Sequence, residues 1–72
     1  MVNAVNSIVT MVNINLASVK ELQNVPGITY KKSTLIVAHR EQYGLYNSIN
    51  ELVQIKGISA KWVSSMESKL TV

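Results

Sequence analysis

The residues best suited to hold a ligand lie in two stretches that repeat each other. The first, "VPGITYKK" from Val25 to Lys32, carries the chain's one proline and one of its three glycines ahead of a threonine and a lysine pair. The second, "IKGISAKW" from Ile55 to Trp62, writes nearly the same order 30 residues later. Thr29 and Ser59 are N-cap residue types, so each stretch leads into the start of a helix. There the first backbone amides have no intrahelical partner and the macrodipole is positive, which together suit a phosphate oxygen. Glycine adds room for such a group to come close to the chain. Lys31 and Lys32 beside the first turn, with Lys56 and Lys61 beside the second, place four of the seven Lys and Arg residues there. No acidic residue falls between 27 and 32 or between 56 and 61. The predicted phosphate-binding set is Gly27, Ile28, Thr29, Tyr30, Lys31 and Lys32 in the first stretch, and Lys56, Gly57, Ile58, Ser59, Ala60 and Lys61 in the second.

No other chemistry is written in the chain. His39 is the sole histidine, and its neighbours Arg40 and Glu41 form a helical ion pair rather than a catalytic or metal-binding constellation, so it is expected on the solvent face of a long helix. Glu21 and Glu51 look like a carboxylate pair until capping explains both. With no cysteine there is neither a disulfide nor a thiolate metal site. Trp62 is expected to pack half-buried, Tyr30 to flank the first turn, and Tyr43 and Tyr46 to pack around Gly44. The residues make no active site and no small-molecule pocket, so the protein is not expected to be an enzyme.

Positioning these turns falls to a small domain. At 72 residues the chain is one domain that buries about 60% of its unfolded surface, so its elements must be short. With 47% hydrophobic and 15% charged residues it is globular, and a net charge of +3 fits a polyanionic partner. Laid over each other, "SVKELQNVPGITYK" (18–31) and "SINELVQIKGISAK" (48–61) agree at nine of fourteen positions, six of them identical. Ser18-x-x-Glu21 and Ser48-x-x-Glu51 have capping-box spacing, so each should open a short helix that ends at Gly27 or Gly57. The unit is helix, tight turn, helix. Its second helix runs through "YKKSTLIVAHREQY" to Gly44, with a buried strand as the competing reading of the Leu35–Ala38 run. In the second unit Val63, Met66 and Leu70 give the last helix one apolar face.

Neither unit buries its apolar face alone. The expected fold is therefore all-α: a single domain, 12–72, of two units at about 18–43 and 48–70 related by a pseudo-twofold axis, preceded by an N-terminal extension, 1–11. That opening stretch lacks a cationic n-region, is broken by Asn, Ser and Thr, and is expected to be neither a signal peptide nor a membrane span.

Leu-x-x-Val-x-Gly-Ile-x-x-x-Lys resembles the helix-hairpin-helix motif. The run from Val12 to Val72, with its "VNINLAS" opening and its "KKSTLIVAHREQYGLYNSINEL" centre, is similar to the tandem helix-hairpin-helix domain of ComEA-type competence proteins. The resemblance implies an (HhH)2-like, SAM-domain-like fold and sequence-independent binding of double-stranded DNA during uptake of transforming DNA. It also implies a periplasmic or other extracytoplasmic location and a DNA-uptake machinery as partner. It allows for a monovalent cation held by turn carbonyls, with no other cofactor. Two departures stand out: Thr29 and Ser59 replace the family's second hairpin glycine, and Ser33 stands where alanine is usual. The competing reading is a protein-interaction or structural module on the same scaffold, as in the extrinsic photosystem II protein U family.

Overall fold

A computed structural model describes residues 11–72 of the chain. The expected extension, 1–11, lies outside the described residues apart from Met11. The elements are β1 (Val12–Asn13), α1 (Val19–Gln23), α2 (Tyr30–Tyr43), a 3-10 helix (Ile49–Gln54), α3 (Ala60–Ser65) and β2 (Leu70–Thr71). Four of the six are helical, as the sequence implies, and no described helix is long and apolar enough to cross a membrane.

The twofold repetition extends into the core. Leu22, Val25, Ile28, Ser33 and Ile36 are buried, and so are Leu52, Ile55, Ile58, Val63 and Met66, each 30 residues after its counterpart. Ile14, Ala17, Tyr46 and Leu70 complete the apolar interior. Each glycine turn leans on the second helical segment of the other unit. A Cβ built on Gly27 would meet Met66, and one built on Gly57 would meet Leu35. Ser33, fully buried in place of an alanine, satisfies its hydroxyl by donating to the Tyr30 carbonyl at 2.7 Å.

Local chemistry accounts for the helix starts with one correction. At Ser18 both halves of the capping box form: Ser18 Oγ accepts from the Glu21 amide at 3.1 Å, and Glu21 Oε1 accepts from the Ser18 amide at 2.8 Å. At Ser48 the box expected from Ser48-x-x-Glu51 does not form. Ser48 makes no side-chain cap, and Glu51 Oε2 accepts from the Asn47 amide instead, at 3.0 Å. The backbone at Ser48 is fully extended (φ −155°, against −80° at Ser18), and the element it opens is a 3-10 helix, whose tighter winding does not return the hydroxyl to the N3 amide.

The helix ends differ from expectation too. α1 stops at Gln23 and the 3-10 helix at Gln54, so Gly27 and Gly57 lie beyond the caps rather than in them. They occupy the third position of β-turns closed by Ile28 N–H to Val25 O and Ile58 N–H to Ile55 O, both 3.0 Å. Their φ values of 96° and 101°, with Pro26 at the second position of the first turn, match a type II turn. α2 spans the expected fourteen residues as a helix, not a strand. α3 ends at Ser65, and Leu70, expected on its apolar face, is buried instead in β2. β1 and β2 form a parallel two-stranded ribbon pairing Val12 with Leu70 and Asn13 with Thr71, a two-residue addition at the edge of the expected helical fold.

The opening segment is fixed by side chains. Asn15 grips the Tyr46 backbone from both sides, its Oδ1 accepting from the amide (2.7 Å) and its Nδ2 donating to the carbonyl (3.0 Å). Arg40 Nη1 donates to the carbonyls of Ile14 (2.9 Å) and Ala17 (2.7 Å). Its expected ion pair with Glu41 is present at 3.6 Å, with Glu41 largely exposed. His39 is half-buried rather than on the solvent face, stacked on Tyr46 at 5.5 Å between ring centroids and tilted against Tyr43 at 4.6 Å. Tyr43 itself is exposed rather than packed in the linker.

The two turn glycines differ in tolerance. An added Cβ at Gly27 would lie 3.2 Å from Met66 Sδ, whose buried side chain must give by a few tenths of an ångström, whereas at Gly57 it would rest 3.6 Å from Leu35 Cδ1, an ordinary contact. Both alanine variants carry the strain of positive φ, roughly 1–2 kcal/mol. Gly27→Ala adds the clash, so its urea midpoint is expected to fall further than that of Gly57→Ala, at unchanged m value.

Burial also makes Tyr46 a pH reporter. Its hydroxyl donates to the Ile36 carbonyl at 2.7 Å. Desolvation, opposed by the Arg40 guanidinium and reinforced by the Glu51 carboxylate, pushes its pKa from 10.0 up to about 12. Between those values the unfolded chain releases this proton and the folded one keeps it. The contribution is thus complete below about pH 10 and lost as pH rises toward 12. Thermal melts from pH 9 to 12 should show a steeper alkaline decline for the wild type than for Tyr46→Phe.

Candidate nucleic-acid interface

The two turns present matched backbone geometry. Thr29 (φ −82°, ψ 167°) caps α2 by accepting from the Lys32 amide at 3.1 Å, and Ser59 (φ −93°, ψ 157°) caps α3 by accepting from the Trp62 amide at 3.1 Å. Both hold extended backbone that any residue adopts, so the positions that carry glycine in the family pattern do not require it here. The hydroxyl takes over one of the orphan amides of each helix start.

The remaining orphans face outward. Among the hydrogen bonds of the described residues, the amides of Gly27, Thr29, Tyr30 and Lys31 have no acceptor, nor do those of Gly57, Ser59, Ala60 and Lys61. All eight residues are exposed. Ile28 and Ile58 are brought to the same turns but take no part in them as donors: their side chains are buried and their amides close the turns. They hold the turns in shape from below.

Cations frame both turns. Lys31, Lys56 and Lys61 are exposed, with no ion-pair partner among the described residues. Lys32 is half-buried, its ammonium 5.5 Å from the centroid of the Trp62 ring. Trp62 is half-buried as expected, and Tyr30 is exposed beside the first turn. The turns are not equal in dipole. α2 has 14 residues behind Thr29 and α3 only 6 behind Ser59, so the second turn depends more on Lys56 and Lys61 for its positive potential.

The first turn's carbonyls are already engaged. Pro26 O accepts from Lys69 Nζ at 3.2 Å, and Gly27 O from Trp62 Nε1 at 3.1 Å. A monovalent cation coordinated by these two oxygens would share them with an ammonium and an indole N–H. No group of three metal-ligating side chains occurs among the described residues. Sequence reasoning missed Lys69 and the indole N–H of Trp62, because their partners lie 43 and 35 residues away.

Two short helical pairs, each bent around a glycine turn and packed so that one turn meets the other unit, define a tandem helix-hairpin-helix domain. The chain belongs to the helix-hairpin-helix motif family, whose model matches residues 7–71. It is 36% identical to ComE operon protein 1 of Bacillus subtilis over 62 residues, covering 86% of this chain and 30% of that one. It is also 48% identical to kinesin-like protein KIF22-B of Xenopus laevis over 52 residues, 72% of this chain and 8% of the relative. A third relative, endonuclease/exonuclease/phosphatase family domain-containing protein 1 of Bos taurus, is 34% identical over 59 residues, 82% of this chain and 10% of its own length. The chain thus spans less than a third of each of these relatives.

Proposed function

We propose that this domain binds double-stranded DNA without reading its sequence, each hairpin turn holding phosphate oxygens of one strand. The observation that carries the reading is the pair of turns with the same exposed, partnerless amides, the same cap geometry and flanking lysines, 30 residues apart in a helix-hairpin-helix domain. Amides and ammonium groups recognise phosphate and carry no base information, so register along the duplex is free. Thr29 and Ser59 bind as well as glycine would, since their side chains turn inward to the cap. The domain performs no covalent chemistry. The likeness to ComE operon protein 1 supports a place in DNA uptake during competence, outside the cytoplasmic membrane, where the duplex would be handed to an uptake machinery.

Titration with duplexes of unrelated sequence at several salt concentrations tests this. Affinities should agree across sequences within about threefold, and log K should fall with log salt with a slope of roughly −3 to −4, one unit for each phosphate neutralised by the turn lysines. A flat salt response would sink the proposal.

A further inference from the structure

We infer that Trp62 is a positioning residue that locks the first hairpin turn to the second unit and so sets the separation of the two phosphate sites. This rests on the duplex-binding reading above. Trp62 belongs to both turns at once. Its backbone amide completes the Ser59 cap of the second turn at 3.1 Å, and its indole N–H donates to Gly27 O of the first, also at 3.1 Å. Lys69 reinforces the same lock, its ammonium reaching the preceding carbonyl, Pro26 O, at 3.2 Å. The ring face carries the Lys32 ammonium at 5.5 Å, which holds that cation beside the first turn without neutralising it.

The arrangement is one-sided. The positions 30 residues before Trp62 and Lys69 are Lys32 and His39, and among the described residues neither donates to the matching carbonyls, Gly57 O and Lys56 O. The pseudo-twofold relation is thus broken at the carbonyl side of the turns while it is kept at the amide side. The first turn is clamped by side chains of the second unit; among the described residues no side chain of the first unit donates to the carbonyls of the second turn. Phosphates on a duplex sit at fixed spacing, so a fixed separation of the two turns favours a duplex, whereas a single strand adapts to any separation. The lock therefore acts on duplex preference rather than on affinity for phosphate in general.

Trp62→Phe removes the indole donor, keeps an aromatic ring and changes no charge. Two readouts are taken on wild type and variant: affinity for a short duplex and for one of its strands, and exchange rates of the Ile28 and Ile58 amides. The variant is expected to lose about fivefold in duplex affinity and less than twofold for the single strand, with the salt slope unchanged. Its Ile28 amide, which closes the first turn, should exchange at least about threefold faster while the Ile58 amide keeps its rate. Equal loss on both nucleic acids, or no loss on the duplex, would overturn the positioning role, as would equal acceleration of both amides, which marks general destabilisation. A wild type that binds neither nucleic acid overturns the duplex reading first and the positioning role with it, and the Ile28 rate then still decides whether the lock exists.

Discussion

Exchanging Lys31 and Lys61 together for glutamate is expected to lower duplex affinity roughly a hundredfold at low salt while leaving the melting temperature nearly unchanged. Each ammonium within about 4 Å of a phosphate contributes on the order of 1 kcal/mol in a solvated setting, and reversal turns that attraction into repulsion. Discounted for screening, two reversals cost about 3 kcal/mol, or two powers of ten. Both side chains are exposed and free of ion pairs among the described residues, so the fold loses nothing that would lower its stability. The salt slope should shrink by about two units, because two fewer counterions are released. A variant with wild-type affinity and slope would remove Lys31 and Lys61 from the interface and overturn the assignment of these two residues. A variant that also melts early would say instead that the lysines serve the fold.

Arg40→Met is expected to be the costliest substitution outside the apolar core, at about 2–3 kcal/mol. Its guanidinium is the common donor for the carbonyls of Ile14 and Ala17, and its side chain is only 13% exposed. Methionine keeps the hydrophobic stem but leaves two partly buried carbonyls without their charged donor, and hydrogen bonds to charged groups contribute about 1.5–3 kcal/mol. For a domain of this size such a loss lowers the melting temperature by roughly 8–24 °C. Glu41→Gln, which removes only the exposed half of the Arg40–Glu41 pair, should shift it by about 2 °C or less. If the two variants melt alike, Arg40 is the surface ion-pair residue that its sequence context suggests.

That contrast shows where the sequence was legible. Gly27, Gly57, Thr29, Ser59 and the Ser18–Glu21 box act within a few residues of themselves, so the two units, their turns and the boundaries of α2 could be read directly from them. The unpartnered turn amides follow from the same local geometry. What escaped depends on distant partners. Arg40 reaches back 26 and 23 residues, Asn15 grips a backbone 31 residues ahead, and β1 and β2 are too short to show any alternation of apolar and polar residues. Ser48 failed as a capping box because its repeat-mate's spacing was present without its backbone conformation. Ile28 and Ile58 are expected from spacing among the phosphate-binding residues, and spacing alone does not show that their side chains face inward.

The pairing of Val12 with Leu70 and Asn13 with Thr71 also has a mechanical side. Because the two strands run in the same direction, tension pulling the chain before Val12 away from the chain after Thr71 loads their hydrogen bonds side by side. Val12 N–H to Lys69 O and Ile14 N–H to Thr71 O, both 2.9 Å, must then yield together instead of peeling apart in turn. The domain thereby resists being pulled open from its two ends more strongly than an antiparallel pair unzipped bond by bond would.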